Sequence, residues 1–174
     1  SISVISVSLL KTAAQAKGDF RAYIDSTGGT HAIGTLNVST VYYASSFAAT
    51  GAAGGLGVSL ASISGNIANA SNNVTAKSYL TGSGSMTTSG SVSVLTQGYA
   101  RSEAIGRTHS FEISLANIAV NVVTATLNVN QSAYLDITGS LNILGGSLNV
   151  NSEIYNTDDF GKAAATVGGS GGTG

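Results

Sequence analysis

The side chains able to do acid–base or metal chemistry are few and scattered. Two histidines, His31 and His109, have neither a second His nor a Cys nearby, and the 174 residues contain no cysteine. A metal site needs two to four converging ligands, so both histidines read as structural or solvated. The carboxylates are Asp19, Asp25, Glu103, Glu112, Asp136, Glu153, Asp158 and Asp159. Acid–base hydrolysis of a glycosidic bond would need two of them flanking one cleft. Asp25 and Asp136 each follow a tyrosine by two residues, but Thr81 holds the equivalent place between them. Asp158-Asp159 has charge enough to hold calcium weakly, yet the Gly-Gly-x-Gly-x-Asp pattern of calcium-binding β-rolls is missing. The stretch Gly51-Ala52-Ala53-Gly54-Gly55-Leu56-Gly57 has the glycine density of a phosphate-binding loop without the Gly-Lys-Ser/Thr ending. The expectation is a non-enzyme, with no catalytic residue, no metal and no cofactor.

Composition narrows the classes further. Charged residues make up 9% of the chain, against about 25% in an average soluble domain. A net charge of −1 leaves no electrostatic footprint for nucleic acid. Hydrophobic residues reach 43% while aromatics supply 6%, so Ala, Val, Ile and Leu carry the apolar content. That is too apolar for a disordered tail. Disulfide scaffolding is excluded with the cysteines. No apolar run approaches the 18 or so residues of a spanning helix. Ser1 to Leu10 is apolar like a signal-peptide core, but it lacks a basic leader and alternates with period two, as a strand does. The chain reads as a fragment of a larger polypeptide.

An internal repeat supplies the organisation. Tyr23, Tyr79 and Tyr134 are 56 and 55 residues apart, and Tyr43, Tyr99 and Tyr155 are 56 and 56 apart. Six of the 7 tyrosines thus fall into two columns. Gly34-Thr35-Leu36-Asn37-Val38 aligns with Gly90-Ser91-Val92-Ser93-Val94 and Gly146-Ser147-Leu148-Asn149-Val150, and Ser3-Val4 aligns with Ser59-Leu60 and Ser114-Leu115. The chain divides into one solenoid segment, 1–174, with repeats at about 1–56, 57–111 and 112–167. A Gly-rich stretch, 168–174, is a tail or the start of a further repeat. One extra residue falls in the turn-like segment from Thr138 to Gly145, since insertions are tolerated in turns.

Within each repeat, Leu36 and Val38, Val92 and Val94, and Leu148 and Val150 alternate with polar neighbours. This predicts strands with one buried face. The absence of Pro suits continuous ladders. Helix is expected at most in short Ala-rich runs such as Thr12 to Ala16. An all-β parallel β-helix, or β-solenoid, of three 56-residue repeats fits best, and two or three coils per repeat would give a rise of roughly 30–45 Å. The Tyr columns would then stack, by packing at a coil corner or as a platform for sugar rings. Four Asn-x-Ser/Thr sequons, at Asn37, Asn69, Asn73 and Asn130, are candidate glycosylation sites.

The cadence Arg21-Ala22-Tyr23-Ile24-Asp25, a Gly/Ser turn, Gly-x-Leu-Asn-Val and an Ala/Gly-rich block resembles the repetitive bacterial surface adhesins of the filamentous haemagglutinin and leukotoxin type. The resemblance spans nearly the whole chain. It implies a right-handed parallel β-helix, secreted or exposed at the cell surface, acting as an adhesin stalk or filament subunit. Expected partners are further copies or repeats at the β-helix ends and host or matrix glycans; nucleic acid and a membrane span are not expected. Two other classes compete. An outer-membrane β-barrel fits the alternation but not the missing aromatic girdles. A carbohydrate-active or ice-binding β-helix would need clustered charges or a regular Thr row, and the column Thr35, Ser91, Ser147 keeps Thr once.

Overall fold

The computed structural model describes residues 2–28, 30–32, 34–51, 57–110, 112–155 and 162–171. These residues are all β. The alternating segments form β1 (Ile2–Ser26), β2 (Thr30–Ala32), β3 (Leu36–Thr50), β4 (Gly57–Gly82), β5 (Met86–Thr88), β6 (Val92–Ser110), β7 (Glu112–Ile137), β8 (Leu141–Ile143), β9 (Leu148–Ile154) and β10 (Lys162–Gly171). The described pairings are all parallel. They make three sheets: β1-β4-β7, β2-β5-β8, and β3-β6 with both β9 and β10 along the far side of β6. None closes into a barrel.

One repeat makes one coil. Ile2 pairs with Val58 and Ser26 with Gly82, so a single circuit returns the chain 56 residues later. This corrects the expected two or three coils per repeat. The cause is strand length: β1 has 25 residues and β4 has 26, where about 5–6 is usual. One such strand out, a short strand across and one long strand back use up the whole repeat. The coils are therefore wide, about 80 Å along β1, and the first and third lie only about 10 Å apart along the axis. Thr12 to Ala16, open to a helical reading, lies within β1.

The extra residue of the third repeat is also placed. Met86 pairs with Leu141, an offset of 55, and Val92 with Leu148, an offset of 56. The insertion thus lies in the bend between Ile143 and Leu148, at the end of the stretch read as a turn and slightly beyond it. Gly34 and Gly146 make this corner with φ of 99° and 110°, a region open to glycine and strained for other residues. The turn-like segment Gly82 to Ser89 contains a short strand, β5, between two bends. A larger shift follows in the third coil. Gly98 pairs with Ile154, but Arg101 pairs with Lys162, so five more residues are accommodated between β9 and β10. Beyond that point Ala165 stands in line with Ala104 and Ala48, and β10 continues the third coil through Gly171.

The core lies between the β1-β4-β7 sheet and the β3-β6 sheet, and it tapers. Beside the short strands it is aliphatic, with Val38, Leu80, Met86, Val92 and Val94 buried and Ile24, Leu135 and Ile143 packed on them. Midway it holds Tyr42, Val74, Ala76 and Ala100. Farther along it is lined by Ala48, Ala68, Ala70 and Ala104. Polar side chains tie the sheets across this interior. Thr96 Oγ1 donates to Ser132 O at 2.8 Å, Ser78 Oγ to Leu95 O at 2.7 Å, and Asn72 Nδ2 to Ala44 O at 2.9 Å. Buried hydroxyls and amides are costly only when unpaired, so these bonds let the narrow core hold Thr96, Ser78 and the Asn72 amide nitrogen, while Asn72 Oδ1 and Thr50 Oγ1 are buried without a partner.

Candidate functional site

The two tyrosine columns form continuous ladders. Parallel in-register pairing sets Tyr23 beside Tyr79 and Tyr79 beside Tyr134. Their ring centroids are 5.1 and 5.0 Å apart, with planes 7° and 4° from parallel. The second ladder is tighter, at 4.5 Å for Tyr43–Tyr99 and 4.6 Å for Tyr99–Tyr155. Both spacings follow the interstrand distance of about 4.8 Å. The ladders stand on the outer faces of the long strands, Tyr43 well inside β3 and Tyr23 three residues before the end of β1, and not at coil corners. The reason is parity: Ala22 and Ile24, flanking Tyr23, pack on the aliphatic core, which turns Tyr23 outward.

Stacking orients the rings along the coil axis. Tyr79 and Tyr99 therefore have both faces covered by neighbours, and open faces remain only on the end rings. A sugar that stacks on a free aromatic face finds none along the length of either ladder. The Tyr99 hydroxyl is held above the ordinary tyrosine range, first by its partial removal from water and then by Tyr155 and Tyr43 beside it. Gln97 Nε2 donates to the Tyr155 hydroxyl at 2.8 Å, fixing the end of that ladder.

The seventh tyrosine, Tyr42, escapes the column pattern because it points inward. It is buried, stacks on Phe20 across the two sheets at 5.4 Å, and donates from its hydroxyl to Gln131 Oε1 at 2.8 Å. Burial pushes its pKa up. Its pairing partner is Gly98, where an added Cβ would lie 2.2 Å from the Tyr42 hydroxyl. The sequence signal was the Gly in an otherwise substituted column, legible only once the register is known.

Among the described residues, the charged candidates do not converge. Asp25 and Asp136 share one column with Thr81 between them, about 10 Å apart on an open face. Arg21 grips Asp19 through Nε and Nη2 at 2.9 and 2.7 Å, which holds the Asp19 carboxyl below its usual range. Both side chains are half exposed, so the pair adds little stability. Arg101 and Glu103 pair in the same i, i+2 manner on the outer face of β6. Among the described residues, no group of three or more His, Asp or Glu could hold a metal ion. Asp158 and Asp159 lie outside the described residues, as do the side chains of His31, His109 and Glu112. Of the sequons, Asn37, Asn73 and Asn130 are exposed on outer strand faces and Asn69 is half-buried.

No protein-family model, curated protein or solved structure matches this chain.

Proposed function

We propose that the chain is a non-enzymatic structural segment: a right-handed parallel β-solenoid serving as the stalk or filament subunit of an extracellular or cell-surface adhesive protein. The observation that carries this reading is the contrast between the middle coil and the outer two. Leu80 is fully buried, whereas Ile24 and Leu135, the same column one coil away on either side, are only partly covered. A further coil on each side would complete the burial. Low charge suits such close stacking of like on like.

The edges suit the same purpose. β1 and β7 are the outer strands of their sheet, and an outer strand presents a row of backbone donors and acceptors ready to pair. An opening of about 470 Å³ between Arg21–Ile24 and Asn37–Ser39 marks the uncovered side of the first coil. Further repeats continue the solenoid in a stalk; in a filament, β1 of one copy adds to β7 of the next. The spacing already used inside the chain would then set Tyr23 of the new copy on Tyr134, and both ladders would run on.

Electron microscopy of the purified chain over a range of concentrations tests the reading. Unbranched fibres are expected. Discrete particles at every concentration, with the β-sheet circular dichroism intact, would overturn the filament, and turnover of a polysaccharide would overturn the non-enzymatic role.

A further inference from the structure

The hydrophobic face of the long sheet changes sides along its length. Near the short strands the apolar side chains point inward, Leu80 among them, while Tyr79 and Thr81 face out. Near the strand starts the order reverses. Ser62 and Asn66 are turned inward and buried, Asn66 Nδ2 donating to Arg107 O at 3.3 Å and to Asn121 Oδ1 at 3.2 Å. On the outside stand Val7, Leu9, Ile63, Ile118, Val120 and Val122, between 43% and 71% exposed. They fall into columns: Val7, Ile63 and Ile118 in one, Leu9, Gly65 and Val120 in the next. Axial stacking does not cover this surface, because it lies on the sheet face and not on its edge.

We infer that this face is the lateral interface between two copies of the chain, packed sheet against sheet about a twofold axis near Ile63. Area supports a dimer. At roughly 100 Å² per large aliphatic side chain, the six residues with exposed Ile5, two residues before Val7 on the same strand face, present on the order of 700 Å². That exceeds the patch of a typical monomer, about 300–600 Å², and approaches the roughly 800 Å² per partner of a stable interface. The Val7–Ile63–Ile118 ridge is flanked by the Ile5–Ala61–Ala116 column, which is low only at its two alanines, and by the Leu9–Gly65–Val120 column, where the Leu9 side chain leans over Gly65. Parallel sheets are normally covered on both faces. Charge selects a second copy over a lipid surface: among the described residues, Lys11 is the cation bordering the patch, where an anionic membrane would want a cluster. A net charge of −1 puts little repulsion between copies.

The chain has no cysteine, so a single Ile63→Cys is a unique handle. Copies stacked along the axis would keep their Ile63 positions three strand spacings apart, about 14 Å. A bis-maleimide with a shorter arm therefore reports lateral pairing alone. Ile63→Cys should cross-link into dimers at least tenfold faster than Thr75→Cys, which lies on the same outer face beyond the patch. Ile63→Lys, with its β-sheet signal retained, should halve the mass measured by sedimentation below the fibre-forming concentration. Equal, slow cross-linking of both cysteine variants would overturn the inference, as would an unchanged mass for Ile63→Lys. Co-sedimentation with phosphatidylcholine–phosphatidylserine vesicles, lost in Ile63→Lys and unaccompanied by cross-linking, would overturn it in favour of a membrane. Fibres without cross-linking would remove the lateral interface and leave axial stacking standing.

Discussion

At the residue scale, the ladders make a graded stability claim. Tyr79 stacks on both neighbours and Tyr23 on one. Each aromatic pair is worth about 0.5–1.5 kcal/mol beyond its burial. Tyr79→Ala should therefore cost about 1–3 kcal/mol in urea unfolding, and Tyr23→Ala about half as much. A pH claim follows from Tyr42 and Tyr99, whose hydroxyls are both held above the ordinary value of 10.0. A raised folded pKa means that stability is complete below the unfolded value and is lost as pH rises through the folded one. The urea midpoint should thus be flat up to pH 10 and fall above it, with a smaller fall in Tyr42→Phe. The ladders were legible in the sequence because their tyrosines recur at one spacing. Tyr42 was not, because nothing local separates it from Tyr43; its environment is set by Gly98 and Gln131, one and two coils away.

At the element scale, the taper of the core gives opposite rules at its two ends. Leu80 is fully buried among Val38, Val92 and Val94, so Leu80→Ala should cost about 2–5 kcal/mol. Ala70 faces Ala48 and Ala104 where the sheets run close, so adding bulk there should also destabilise, by about 1–3 kcal/mol for Ala70→Leu. Thermal unfolding of the two variants checks both. The alternation of Leu36, Val38 and their counterparts disclosed strands and their inward faces. It did not disclose how far each strand runs. Lys17-Gly18-Asp19 is the composition of a turn, yet it continues β1 because β4 alongside supplies an unbroken ladder. Ordinary strands of about 5–6 residues would leave 56 residues too many for one coil; strands of 25 and 26 residues take them up in a single circuit.

At the scale of the whole molecule, stacking requires coils to add in a fixed register. That register would bring Asp136 of one copy beside Asp25 of the next, a like-charge contact that Thr81 prevents inside the chain. Opposite charges across neighbouring strands contribute about 0.2–1 kcal/mol. Asp136→Lys should therefore lower the concentration needed for fibres by about two- to fivefold, and adding Asp25→Lys should cancel the gain, as read by light scattering. The repeat made stacking legible from the sequence, whereas the crossing of the apolar face from inside to outside emerged only from the register. Fibre diffraction from aligned, purified chain tests axial stacking of the coils. A meridional reflection near 4.8 Å, with a longer axial repeat near 14 Å for three coils per copy, is the expected pattern. A 4.8 Å spacing lying across the fibre axis, or fibres without it, would contradict axial stacking of the coils.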